Sequence, residues 1–223
     1  MFCQKKKIYQ IIKQNFSDHN IVGEELYKEK SKSDYCWIID PLDGTNNYAY
    51  NYPFFCTSIG LTYKEEVILG VIFDPLKNEL FEASIIDSSA FLNGKEIKVN
   101  SVNNIAKAKF STGFCYHLEK MKDNNIDHFQ KVLFSTLGLR IDGAAALDLC
   151  YVACGRSDGY WEIGLKSWDM VAGKIIVEKA KGIATDIKGE KFSLNKDNIL
   201  VTNKKLHSQV LEVMWEKKSF IKK

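Results

Sequence analysis

The chain has 223 residues, 45% of them hydrophobic and 26% charged, with 31 basic against 28 acidic side chains for a net charge of +3. That length suits one compact domain or two closely packed halves with an ample core, and no run approaches the roughly 20 apolar residues of a membrane span. The basic excess is almost all lysine, with Arg140 and Arg156 the only arginines, which argues against sequence-specific nucleic-acid recognition.

The opening MFCQKKKIYQ lacks the apolar centre of a secretion signal, so a cytoplasmic protein is expected. Lys5–Lys7 and the tail lysines Lys217, Lys218, Lys222 and Lys223 read as solvated ends. The six cysteines include no C-x-x-C and the four histidines show no ligand spacing. Both facts argue against a zinc site or a disulfide framework. Cys150 and Cys154 read as buried thiols one helical turn apart.

In chain order, Ile8, Ile12 and Phe16, with Ile11 beside them, predict an amphipathic helix. NIVGEE then reads as a short strand ending in Glu24 and Glu25. From Trp37 to about Val99 the pattern is β: CWIID, FFCTSIGLTY, EVILGVIFD and NELFEAS are apolar or alternating runs between turn residues. The Asn-Gly pair in FLNGKEIKV signals a tight hairpin. A strand in AKFSTGF, a helix over about 125–137, a strand in LRIDG and a helix over about 144–154 follow. SDGYWEIG predicts another strand, and SWDMVAGKIIVEKAKG a helix with Asp169 near its start. Strands in IATDI and NILVTN precede a last helix around 205–215. This mixed order implies α+β or layered α/β packing, with sheets covered by helices. One compact unit is expected, with an antiparallel-rich half, 1–104, and a more alternating half, 105–223. Trp37, Trp161 and Trp168 are assigned to the core.

The segment Asp40-Pro41-Leu42-Asp43-Gly44-Thr45 concentrates charge where an apolar strand ends. Pro41 fixes a backbone angle, and Gly44 permits a tight turn or close approach to a ligand. Carboxylates this close raise each other's pKa unless a cation is present, and Mg²⁺ binds through a few carboxylates while completing its shell with water and phosphate oxygens. A helical turn starting after Gly44 would turn the N–H groups of Gly44, Thr45 and Asn46 toward an anion. The same letters also fit a polar loop with aspartates capping turns. Taken alone, Asp169 would be a helix N-cap and Glu162 a surface charge on an amphipathic strand.

Several ordered segments decide between these readings: IVGEE, WIIDPLDGTNNY, YPFFCTSIGL, FLNGKEIKV, STGF, GAAALDLCYVACGRSDGYWE and WDMVAGKIIVE. Together they resemble the inositol monophosphatase-like family of Mg²⁺-dependent phosphatases, from the first helix to about Thr202. The resemblance implies an αβαβα sandwich and a phosphomonoesterase holding two or three Mg²⁺ ions. Glu24, Asp40, Asp43, Asp169 and the Leu42 carbonyl would be ligands, with Asp40 bridging ions. Glu24, Glu25 and Thr45 would handle the attacking water. Leu42, Asp43, Gly44, Thr45, Asn46 and Asp169 would surround the phosphate. Gly143, Ala144 and Ala145 would line the polyol side, and Glu162 would accept a substrate hydroxyl. The first half would thus carry most of the metal and phosphate contacts and the second would complete the site. Metal-activated water would attack in line, without a phospho-enzyme. The family also implies a homodimer acting on a small phosphate ester, and inhibition by Li⁺. The substrate implied first is myo-inositol monophosphate, with fructose 1,6-bisphosphate, histidinol phosphate and 3′-phosphoadenosine nucleotides as alternatives.

Some positions depart from the pattern. Ala144 stands where Ser or Thr is frequent, Cys115 where proline is common, and Lys181 where glycine is usual. Relative to the family, the chain starts about where a Thr-x-x-Asp segment would fall. A first helix, a hairpin and the aspartate partner of Thr45 are therefore expected to be missing. A misassigned start, a fragment, and a truncated, weakly active or inactive metal-binding homologue are the competing accounts.

Overall fold

A computed structural model describes residues 2–24, 32–115, 121 and 123–216. Two mixed sheets form the frame. The first follows chain order: β1 (Asn20–Gly23), β2 (Tyr35–Asp43), β3 (Cys56–Tyr63), β4 (Glu66–Asp74), β5 (Glu79–Ser84), β6 (Ala90–Leu92) and β7 (Lys95–Ile97). β1 pairs parallel to β2 and the other neighbours are antiparallel. The second comprises β8 (Lys109–Thr112), β9 (Gly138–Arg140), β10 (Gly159–Ile163), β11 (Gly182–Thr185) and β12 (Asn198–Asn203), in the spatial order β11-β12-β10-β8-β9. Six α-helices are seen among the described residues: α1 (Phe2–Asn15), α2 (Thr45–Ala49), α3 (Ile126–Ser135), α4 (Ala145–Ala153), α5 (Ser167–Lys179) and α6 (His207–Trp215). None of them is long and apolar enough to cross a membrane.

Helices α4 and α5 lie between the sheets, and their buried Leu147, Leu149, Val171 and Ile176 share one core with Ile72 and Phe81 of the first sheet and Val201 of the second. Helices α3 and α6 cover the far face of the second sheet, over Phe110, Trp161 and Leu200. Helix α1 covers the far face of the first sheet by setting Ile12 on Ile21 and Ile39. The apolar stripe of α1 is narrower than its sequence suggests: Ile11 is 51% exposed. Phe16 lies past the helix end and stacks on His19, ring centroids 5.0 Å apart. The Asn93-Gly94 hairpin forms as expected between β6 and β7, both residues taking positive φ (50° and 73°), as a primed turn requires.

One contact sets the position of α5. Gly60 and Gly70 are cross-strand partners on β3 and β4, and the helix rests on both. A Cβ at Gly70 would stand 2.4 Å from the Ala172 carbonyl oxygen, and one at Gly60 would stand 2.2 Å from a Val171 methyl. The pair forms a flat seat that lets the helix backbone approach the sheet closely, and helix backbone cannot yield as a flexible side chain can. Gly70→Ala is therefore expected to destabilise the protein by about 1–3 kcal/mol, the usual penalty of overpacking. Chemical denaturation measures this, and an unchanged midpoint would contradict the seat.

Candidate active site

Residues alternate between the faces of a strand, so Asp40 and Asp43, three apart, should face opposite ways. A bulge brings them together. Asp40 lies opposite Ser58 and Asp43 opposite Cys56, so β2 carries one extra residue there and its second carboxylate returns to the face of the first. The sequence places the strand's end at Asp40 with a turn after it; the structure instead runs β2 on to Asp43. The cause is local. Pro41 has no N–H for the ladder, the Leu42 N–H is taken by Asp40 Oδ1 at 2.9 Å, and the Pro41 carbonyl accepts from the Thr57 hydroxyl at 3.0 Å.

Gly44 then turns the chain at φ 84° and ψ 39°, left-handed values that glycine adopts without strain. The place is also crowded, since a Cβ there would sit 2.9 Å from the Phe54 carbonyl oxygen. Helix α2 follows at once. Its first bond runs from the Tyr48 N–H to the Gly44 carbonyl at 2.9 Å, so the N–H groups of Thr45, Asn46 and Asn47 fall outside the helix's own ladder. The Thr45 hydroxyl donates to the Leu42 carbonyl at 3.0 Å.

The third carboxylate comes from the far end of the chain. Asp169 sits in the first turn of α5, where its Oδ2 accepts the Lys166 N–H at 2.7 Å. It is not the N-cap its sequence position suggests, since Lys166 holds that place; it reaches back to Lys166 from inside the first turn and also faces the other two acids. Asp43 is fixed in a similar way, its Oδ2 accepting the Ala146 N–H of α4 at 2.7 Å. Asp40, Asp43 and Asp169 each offer a carboxylate oxygen, all within 4.8 Å of one another.

Burial and crowding shape their titration. Burial, reinforced by the charges of Glu24 and Asp169, raises the Asp40 pKa to about 7 despite the opposing Leu42 N–H bond. Asp169 is raised to about 6, chiefly by burial, with the Lys166 N–H pulling it back. Asp43 is pushed well above the carboxylate range by burial and by its two neighbours. A site that holds three acids this close, each anchored by a backbone N–H, favours a cation with hard oxygen ligands.

A cleft of about 750 Å³ opens over these acids. Gly44, Thr45 and Asn46 line one wall, and Gly143, Ala145 and Glu162 line another. Glu24, just past β1, borders the same cleft but stands outside the three-carboxylate group. Glu25 lies outside the described residues. Ala144, expected along the polyol side, is instead buried, its Cβ 3.1 Å from a Cβ built on Gly44. It packs behind the turn rather than facing the cleft. Trp161 is buried as expected, Trp37 is half-buried, and Trp168 lines the cleft.

Two features escape the sequence reading. Asn47 donates through Nδ2 to the Phe54 carbonyl at 2.7 Å and the Asp142 carbonyl at 2.8 Å, tying α2 to the loop before α4. Nothing in a two-Asn run distinguishes the bridging one. Tyr160 donates its hydroxyl to Glu162 Oε2. The signal for that pair was present: alternate strand residues share a face.

Comparison with known proteins agrees with this geometry. The model of the inositol monophosphatase family matches residues 4–219. The chain is 41% identical over 208 residues to the inositol-1-monophosphatase of Synechocystis sp., a match covering 93% of this chain and 72% of that protein. It is 36% identical over 212 residues to Nus factor SuhB of Pseudomonas aeruginosa, covering 93% and 78% respectively. The solved inositol monophosphatase from Anabaena (Nostoc) sp. superposes with a TM-score of 0.91 at 40% identity, over 94% of this chain and 83% of that one.

Proposed function

Because the chain belongs to the inositol monophosphatase family, we propose that it is a Mg²⁺-dependent phosphomonoesterase acting on a polyol phosphate, with myo-inositol monophosphate as the preferred substrate. The observation that carries this reading is the convergence of Asp40, Asp43 and Asp169 beside the N–H groups of Thr45 and Asn46. The carboxylates supply a cation site, and the free end of α2 supplies an anion site next to it.

The donor set fits Mg²⁺: all hard oxygens, held by backbone bonds, with ionised forms disfavoured until positive charge arrives. Asp40, Asp43 and Asp169 would hold the ions, with Glu24 and the Leu42 carbonyl at the margin. Bound there, Mg²⁺ supplies charge to the phosphoryl and leaving oxygens and acidifies water. The protein's own groups do the rest. The Gly44 turn and α2 seat the phosphate through N–H groups, while Thr45, its hydroxyl tethered to Leu42, and Glu24 orient the attacking water. Across the cleft Glu162, its pKa raised by burial to about 7, accepts a hydroxyl of the alcohol portion. Gly143 and Ala145 leave room for a saturated ring between these walls.

The test is a phosphate-release panel with Mg²⁺ on myo-inositol 1-phosphate, fructose 1,6-bisphosphate, histidinol phosphate and 3′-phosphoadenosine 5′-phosphate. The inositol ester is expected to give the highest kcat/KM, and chelation of Mg²⁺ to abolish release. A clear lead for another ester would reassign the substrate. Trace release from all four would favour a metal-binding role without turnover.

A further inference from the structure

Tyr160 has no part in the chemistry above, yet its hydroxyl reaches the cleft wall. It and Glu162 point from the same face of β10, and the ring is fully buried. Its hydroxyl donates to Glu162 Oε2. Burial and the nearby carboxylates of Glu162 and Asp148 raise the phenol's pKa well above its ordinary value, so the group remains a donor. Gly113 stands against the same carboxylate, where a Cβ would lie 2.1 Å from Oε2 and 2.6 Å from Oε1.

Gly113 is held in place rather than loosely adjacent. The Asn125 amide donates to the Gly113 carbonyl and to the Thr112 hydroxyl, each at 2.9 Å. Its side-chain oxygen accepts the Trp161 indole N–H at 2.5 Å. Tyr160 thus holds one oxygen of Glu162, and the missing side chain at Gly113 gives the whole carboxylate its space at the edge of the cleft.

We propose that Tyr160 is the positioning residue that fixes Glu162 for recognition of a second hydroxyl on the substrate, and that Gly113 reserves the space the carboxylate occupies. This rests on the reading of Glu162 as the hydroxyl acceptor. The consequence is selectivity. A carboxylate held by one oxygen presents the other at a fixed place, so the site favours alcohols carrying a hydroxyl at the matching position and gains nothing from esters without one.

The experiment compares wild type with Tyr160→Phe, which keeps the ring and removes only the hydroxyl. KM for myo-inositol 1-phosphate is expected to rise about tenfold, the scale of one hydrogen bond to a charged group, with kcat within about twofold. KM for p-nitrophenyl phosphate, an ester with no second hydroxyl, is expected not to move. Gly113→Ala takes the space of the same carboxylate and is expected to show the same split. An unchanged KM for the inositol ester in Tyr160→Phe, or equal losses on both esters, would overturn the proposal. Should wild type hydrolyse none of the esters, the assigned reaction fails, and crystal structures still decide the role of Tyr160. Glu162 displaced in the Tyr160→Phe structure supports it, and Glu162 in its wild-type place overturns it.

Discussion

Asp40→Asn is expected to lower phosphate release about 10³-fold while making the metal-free protein more stable. The two effects share one cause. Asn has the shape of Asp, and its oxygen can still accept the Leu42 N–H that Asp40 takes at 2.9 Å, so the bulge survives. What disappears is one of three converging charges, and losing a transition-state contact of this kind costs up to about 10³ in rate. The same charge is a burden when no ion is bound, because burial raises the Asp40 pKa from 3.8 to about 7, equivalent to about 4 kcal/mol at most. A higher melting temperature for metal-free Asp40→Asn, with its response to Mg²⁺ abolished, is the expected pairing. A variant less stable than wild type without metal would show that Asp40 is a structural acid.

The second large effect links pH, metal and stability. A carboxylate whose pKa is higher in the folded state holds its proton more tightly when folded, so it favours folding at low pH and loses that contribution as pH rises through the folded value. For Asp40, raised from 3.8 to about 7, Asp169, raised from 3.8 to about 6, and Glu162, raised from 4.5 to about 7, the loss runs from about pH 4 to pH 7. Metal-free protein should therefore melt at a higher temperature at pH 5.5 than at pH 8. Mg²⁺ at 100 times its Kd should restore about 2.7 kcal/mol at pH 8, an increase of about 5–10 °C for a chain of this size. At pH 5.5 the ion competes with bound protons and the gain should shrink. Scanning calorimetry at both pH values, with and without Mg²⁺, reads all four states. A metal-free protein that melts higher at pH 8, or one indifferent to Mg²⁺, would count against the cluster as a cation site.

Much of this was legible in the sequence because the relevant signals are local. Strands β3 to β5 announce themselves by apolar runs between turn residues, and the β6–β7 hairpin by its Asn-Gly pair. The helix bearing Asp169 shows both its start and its length. What stayed hidden depends on neighbours. The period of two along a strand assigns Asp40 and Asp43 to opposite faces, and only pairing with β3 exposes the extra residue that reunites them. Ala144 looks like a cleft residue from its place between Gly143 and Ala145, but the Gly44 turn packs against it. Ile11 belongs to an apolar stripe on paper, yet it stays exposed while its neighbour Ile12 packs on Ile21 and Ile39. Tyr160 shares a strand face with Glu162, but an apolar run gives no sign that its hydroxyl reaches that carboxylate.

The seat formed by Gly60 and Gly70 has a consequence for how the molecule assembles. Asp40 and Asp43 leave the ribosome early, on the second strand, whereas Asp169 emerges only after most of the chain has been made. A partly folded intermediate with the first sheet complete would own Asp40 and Asp43 but lack the third member of the converging group until α5 docks on its glycines. Cation uptake should therefore await the docking of α5, and affinity for the ion would gauge whether that helix has reached its seat.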